Sequence, residues 1–299
     1  MSARHRLPGT PGPDRFLAGA GGCRLAADVW GNPAGPLVIL QHGGGQTRHA
    51  WKGAGEILGR AGYHAVALDA RGHGDSDWAP DGVHGQDVMV ADLCRVAQQL
   101  GRGVSLVACG EDHVDATALV LVDVGHRIET EGVQKIQAFM NRRPEGFDSL
   151  EEVADAIASY QPHRRRPRYL AGLAKNFRLG DDGRYHWHWD PRFRTGHRDV
   201  GKREARLTTC VRALRLPTLL VRGGLSDVLS EQGAQEFLAL CPHAEYVNVT
   251  EAGHMVAGDR NDVFANAVIE FPARVVPVDG EPRQPPHAPR PHYQGPRGT

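Results

Sequence analysis

At 299 residues, with 40% hydrophobic and 23% charged residues, the chain has the make-up of one large or two ordinary globular domains, which excludes disorder throughout. Its 35 Lys and Arg balance its 35 Asp and Glu. A formal charge of zero provides no long-range field to hold nucleic acid or an anionic membrane, so neither is expected as a partner. Five cysteines, at positions 23, 94, 109, 210 and 241, are odd in number and form no Cys-x-x-Cys pair. They predict reduced thiols in a cytoplasmic protein rather than a disulfide framework or a zinc site. Arg4 and Arg6 are followed by Pro8, Gly9, Pro11, Gly12 and Pro13 with no apolar run, so no secretory leader is expected. The longest aliphatic run, 118–122, is far short of the ~20 residues a spanning helix needs.

In chain order, residues 1–13 read as a flexible arm. Residues 14–18 and 23–30 flank Gly19, Gly21 and Gly22 and predict a hairpin. The apolar run 37–40 has the character of a strand buried on both faces, and 65–68, 104–108, 118–122, 218–221 and 246–249 repeat it. Between them, residues 47–60, 86–100, 230–240 and 259–270 carry helical spacing. Strands alternating with helices predict an α/β fold, a mostly parallel sheet with helices on both faces. Residues 126–205 break the rhythm, with more Arg, aromatics and charged helical pattern, and a hairpin turn around Gly180-Asp-Asp-Gly183 leading into Tyr185-His-Trp-His-Trp189. This segment is expected to form a cap over the C-terminal sheet edge, where open α/β sheets bind ligands. The core is then 14–125 with 206–271. Residues 272–299, with eight prolines, predict a disordered tail.

Four loops carry chemistry. His42-Gly43-Gly44-Gly45-Gln46 follows the strand at 37–40, and unobstructed N–H groups there can hold a developing oxyanion. A plain Gly-rich turn is the other reading; a phosphate loop is excluded because no Gly-Lys-Ser/Thr follows. Asp69-Ala-Arg-Gly-His-Gly-Asp-Ser76 reads as a structural turn in which Asp69 pairs with Arg71 and Ser76 caps the loop. Asp227 and His254 lie on loops after the strands 218–221 and 246–249, a suitable placement for a base and the acid that orients it.

Together these four loops resemble the α/β-hydrolase family, over roughly residues 14–271. They are most similar to its capped branch of esterases, lactonases, haloperoxidase-like proteins and epoxide hydrolases. The resemblance implies an α/β-hydrolase fold with an inserted helical cap, and hydrolysis of a small ester-, lactone- or epoxide-type substrate. It implies His254 as general base, Asp227 as its acid, Gly43 and Gly44 at the oxyanion site, and His42, Trp51 and Trp187 lining the pocket. Core packing fits Trp51 equally well. No cofactor is implied and no metal: His186 and His188 alternate on one strand, but no carboxylate cluster accompanies them, and packing of Trp187 and Trp189 in the cap is the better reading.

The family places its nucleophile at Gly-x-Ser-x-Gly, between a strand and a long helix. After the strand at 104–108, the fifth of the core, the chain instead reads Cys109-Gly-Glu-Asp-His-Val-Asp-Ala-Thr117 before the next strand. No serine of the chain has the motif on that turn. Cys109 lies in the right zone and is the better intrinsic nucleophile, but Val107 and Glu111 stand where glycines belong. Asp112 has Gly110 before it and Val114 after it. A parallel crossover through a helix takes at least ~10–12 residues, so the crossover helix is expected to be absent. Uncovering a few hundred Å² of strand at ~25 cal/mol per Å² costs several kcal/mol. Either a destabilised monomer or self-association through the uncovered sheet face is therefore expected. The expectation is an impaired hydrolase for a small-molecule substrate. The alternatives are a non-catalytic ligand-binding pseudo-hydrolase and a thiol-dependent hydrolase using Cys109.

Overall fold

Alternation along the strands decides which helices they meet. In β4 (Leu37–Gln41), Leu37 and Ile39 point to one face of the sheet and Val38 and Leu40 to the other, and all four are buried. A strand apolar at every position has no solvent face, so it must lie inside a two-sided sheet. The computed structural model describes residues 5–101, 103–106, 116–160, 166, 170–194, 200–254, 256 and 261–278.

The other strands of the main sheet are β2 (Arg15–Ala18), β3 (Arg24–Trp30), β5 (His64–Leu68), β6 (Gly103–Leu106), β7 (Ala116–Val122), β10 (Thr218–Gly223) and β11 (Glu245–Val249). They lie in the order β11-β10-β7-β6-β4-β5-β3-β2. Every pairing from β5 through β11 is parallel, while β2 and β3 run antiparallel at one edge. The predicted hairpin at 14–30 and the parallel core are therefore present.

Two helix layers cover the sheet. On one face, α1 (Lys52–Arg60) and α7 (Asn261–Val275) pack on Val38, Leu40, Ala65, Val120, Leu219 and Val221. On the other, α2 (Gln86–Leu100), α5 (Val200–Ala213) and α6 (Glu231–Leu240) supply Leu93, Val96, Val211 and Phe237 against Ile39, Val66, Leu121 and Leu220. Each fully buried aliphatic or aromatic side chain contributes about 1.5–3 kcal/mol. The connection from β6 to β7 is residues 107–115, which lie outside the described residues, and the expectation about its helix falls there. Two small hollows, each of about 20 Å³, lie on the α2–α5–α6 face. One is between Leu119 and Leu121 of β7 and Val211, Leu214 and Phe237. The other is between Leu68 of β5 and Met89 and Leu93 of α2.

Between β7 and α5 the chain builds the cap: α3 (Thr130–Met140), α4 (Leu150–Tyr160), β8 (Phe177–Leu179) and β9 (Tyr185–Trp187). It has a core of its own, Leu7, Phe147, Val153, Ala174 and Phe177, with Trp187 packed against it. The expected hairpin turn at 180–183 joins β8 to β9, so the helical cap carries strands as well. The arm at 1–13 needs correction, because it is not loose throughout: β1 (His5–Arg6) joins that hairpin as a third strand against β8. Leu7 is buried in the cap core, and burial of that one side chain together with β pairing offsets the ordering entropy of the arm.

Charge holds arm, cap and core together. Arg48, fully buried, donates to Asp28 at 2.6 Å, Asp69 at 2.6 Å and Asp75 at 2.9 Å. Asp75 also receives Arg6 of the arm at 2.9 Å and Arg178 of the cap at 2.6 Å. The expected Asp69–Arg71 pair is not formed, since Asp69 is taken by Arg48 and Arg71 turns to Asp92 at 2.6 Å. Ser76 does brace the turn, donating to the Asp69 carbonyl and accepting the Ala26 N–H.

At the other terminus, α7 runs on to Val275, past the expected start of the tail at 272. Tyr63 donates to the Val276 carbonyl at 2.9 Å, and Val278 lies against Gly62. The rest of the predicted tail, 279–299, lies outside the described residues. Among the described residues, no helix is long and apolar enough to cross a membrane.

Candidate active site

Loops after β4, β5, β7, β10 and β11 gather at one edge of the sheet because the strands are parallel and all end on the same side. His254 stands on the loop after β11, a quarter exposed. Its Nδ1 is 2.7 Å from Oδ2 of Asp123, the residue directly after β7. The Asp123 carboxylate is fully buried and accepts two further hydrogen bonds, from the Gly223 N–H at 2.9 Å and the Ser226 hydroxyl at 2.6 Å. A carboxylate held by three donors is pinned in place. With Nδ1–H committed to Asp123, Nε2 of His254 is left as the basic nitrogen.

The backbone of Asp123 has φ +53°. It belongs to the left-handed region that Asp and Asn tolerate better than other side-chain-bearing residues, at a cost of about 1–3 kcal/mol. The surrounding bonds from Asp123 N–H to Val221 O, at 2.7 Å, and from the carboxylate to β10 hold the residue there.

Asp227, the acid expected from sequence, does not orient His254. Its side chain is 44% exposed and its carboxylate lies 3.6 Å from Nζ of Lys135. The reason is the loop: Ser226 binds Asp123 and also accepts the Val228 and Leu229 N–H groups, a tight turn that carries residue 227 outward. Asp123 ends an apolar strand, but that this strand lies beside β10, and so that its carboxylate can reach His254, is visible only in the fold.

Gly43 and Gly44 lie exposed after β4. A side chain on Gly44 would stand 3.5 Å from Phe193 of the cap. His42 is used to brace this loop rather than to present a free nitrogen. Its Nε2 accepts the Ala70 N–H at 3.0 Å and its Nδ1 lies 2.8 Å from the Gly43 carbonyl. Burial pushes its pKa down to about 4. Trp51 is buried in the core beside Phe264, 5.9 Å between ring centroids, so it does not line a pocket. Trp187 packs in the cap with Phe147 and Phe177, a cap role in place of the expected pocket lining. A large aromatic gains most by full burial, as Trp51 does in the core, whereas Trp187 is half-buried in the cap. Cys109 lies outside the described residues. The four described cysteines, Cys23, Cys94, Cys210 and Cys241, are free thiols. Among the described residues no three His, Cys, Asp or Glu side chains converge as a metal site would require. His186 instead meets Asp182 at 2.9 Å, and His188 is buried.

An imidazole fixed by a buried carboxylate can accept a proton, and the glycine loop after β4 lies on the same edge of the sheet, four strands away from β11. Comparison with known proteins identifies the family. The sequence model of the alpha/beta hydrolase family matches residues 37–267. An esterase of Mycobacterium tuberculosis is 31% identical over 84% of this chain and 85% of its own length. The 3-hydroxybutyrate-oligomer hydrolase of Cupriavidus necator is 26% identical over 85% of this chain and 93% of its own. The crystal structure of the M. tuberculosis esterase superposes with a TM-score of 0.62 at 28% identity, covering 86% of this chain and 90% of that one. Parallel sheet, cap, strand-end loops and these matches together assign the chain to the α/β-hydrolase family.

Proposed function

We propose that this chain hydrolyses small carboxylic esters, slowly, with His254 as general base and Asp123 as the acid that orients it. The observation that carries the reading is the 2.7 Å contact between His254 Nδ1 and the buried Asp123 carboxylate. The ester class rests on the relatives: one is an esterase and another a hydrolase of 3-hydroxybutyrate oligomers. In the proposed step, His254 Nε2 takes a proton from water as the water oxygen bonds to the ester carbonyl carbon. The N–H groups at Gly43 and Gly44 receive the oxyanion. Collapse breaks the C–O bond to the alcohol, which leaves with the proton from His254.

Slowness follows from the chain between β6 and β7. Residues 107–115 number nine, fewer than a helical crossover uses. That stretch holds no Gly-x-Ser-x-Gly serine, and without the serine there is no oxyanion donor following it. We assign the protein to the cytoplasm on its free thiols.

The test compares aryl acetate hydrolysis by this chain, by His254→Ala and Cys109→Ala, and by a version with a Gly-x-Ser-x-Gly helix inserted between 106 and 116. A slow rate abolished by His254→Ala, kept by Cys109→Ala and raised by the insertion is expected. Loss with Cys109→Ala would replace water by the thiolate as nucleophile. No hydrolysis above buffer, with substrate analogues still bound, would make the chain a ligand-binding pseudo-hydrolase.

A further inference from the structure

The turn after β5 does more than brace itself. His73, almost fully buried, reaches across to the glycine loop, where its Nε2 accepts the Gly45 N–H at 3.3 Å. Its Nδ1 lies 3.1 Å from the Arg71 carbonyl, which can only accept, so Nδ1 carries the proton and Nε2 is the lone-pair nitrogen. His42 repeats the arrangement in the opposite direction, with Nδ1–H on the Gly43 carbonyl and Nε2 accepting from Ala70 of the turn. The two rings lie 5.2 Å apart. One loop is thus stitched to the other by two imidazoles of the same tautomer. Gly45 has φ +79°, a conformation glycine adopts without strain, so the peptide there would be free to rotate if it were not held.

The cap closes the same assembly. Residues 72–74 are knitted to residues 188–190 by Asp190 N–H to Gly72 O at 2.6 Å and Gly74 N–H to His188 O at 2.8 Å. Phe193 then packs edge-on against His73, 4.8 Å between centroids, and lies over Gly44. His73 therefore touches the turn, the glycine loop and the cap together.

We propose that His73 is a positioning residue for the oxyanion loop: by holding the Gly45 N–H it fixes the Gly44–Gly45 peptide and so restricts where the adjoining Gly43 and Gly44 N–H groups point, and through Phe193 it ties that geometry to a seated cap. This rests on the reading of Gly43 and Gly44 as oxyanion donors. Burial keeps His73 neutral, with a pKa near 3, which suits an acceptor nitrogen.

The tautomer is measured first, on the unsubstituted full-length chain, by long-range proton–nitrogen NMR of the imidazoles at pH 7. Nδ1–H with a bare Nε2 is expected for His73; the Nε2–H tautomer would overturn the proposal. Amide exchange at Gly45 is measured next. His73→Phe keeps a ring against Phe193 but has no acceptor, and should speed that exchange about tenfold or more. His73→Gln, whose side-chain carbonyl can accept, should restore most of the protection. Unchanged Gly45 exchange in a folded His73→Phe chain would sink the idea, and if that variant does not fold, the tautomer and His73→Gln decide. On aryl acetate, His73→Phe should lower kcat about 10- to 100-fold with KM within about twofold. Absence of hydrolysis in the unsubstituted chain counts against the proposed function alone, because the Gly45 readout needs no turnover.

Discussion

From β10 to β11 the chain runs through residues 224–244, 21 in all, and in that length it builds α6. Ser230 caps that helix through the Gly233 N–H, and Ala234 and Phe237 cover the sheet. From β6 to β7 it has only residues 107–115. Both connections link parallel neighbours in one sheet, yet the first has the length for a helix that covers the sheet and the second is less than half as long. The contrast teaches that the His254–Asp123 pair and the place of an attacking side chain depend on different stretches of the chain. Asp123 and His254 stand on β7 and β11 and are held from β10, so their pairing needs nothing from the short connection. An attacking side chain and its companion N–H would need it entirely.

The contrast can be broken first at its intact end. His254→Ala and Asp123→Asn should each lower any aryl ester hydrolysis about 10³-fold or more, read as initial rates, because either change removes the base or its tautomer control. Preserved rates would show that the well-built end does no chemistry.

A second cut is made away from both crossovers. Arg48→Met removes the cation that Asp28, Asp69 and Asp75 share and leaves the fully buried Asp69 without its counter-ion. It should cost about 3–5 kcal/mol in urea unfolding. A loss under 1 kcal/mol would mean that arm, core and cap are held by packing alone.

Repairing the deficient end sharpens the comparison. Inserting about a dozen helix-forming residues between 106 and 116 should raise stability by about 2–4 kcal/mol as apolar strand surface is covered. It should also abolish any self-association through that face, measured by sedimentation. An insertion that leaves stability unchanged would mean that surface is already covered.

Acid should weaken the glycine-loop side. His42 and His73 are neutral when folded, with burial pushing their pKa values down to about 4 and about 3. Unfolded histidines bind a proton below about 6.5. Their contribution is therefore complete above pH 6.5 and shrinks as pH falls towards 4, by up to about 1.4 kcal/mol per pH unit for each ring. Urea midpoints that stay flat from pH 7 to 4.5 would show that these rings titrate normally.

The smallest effect belongs to Asp227→Asn, which should leave the rate within about twofold, since its carboxylate faces Lys135 and solvent. A large loss would restore Asp227 to the site.

Much of this was legible beforehand. Continuous apolar runs such as 37–40 and 65–68 marked strands buried on both faces, and each proved to be one. His254 and the glycine loop stood out because their neighbours are glycines after strands. Other features were hidden because they depend on contacts between residues far apart in the chain. The arm's pairing with β8 spans more than 170 residues, from His5 to Leu179. Arg48 gave no local sign that it would be buried among three carboxylates from β3 and the turn after β5. Asp123 and Asp227 were equivalent in composition, and only the fold of the Ser226 turn separated them.

Hydrophobic spacing in the sequence alone thus determined the α/β architecture, since burial of apolar runs is a local property that any compact solution must honour. Which carboxylate meets His254, and which histidines hold the glycine loop, was decided only in three dimensions. A hydrogen bond depends on ångström-scale approach between distant segments, and that approach is set by how strands end and turns close.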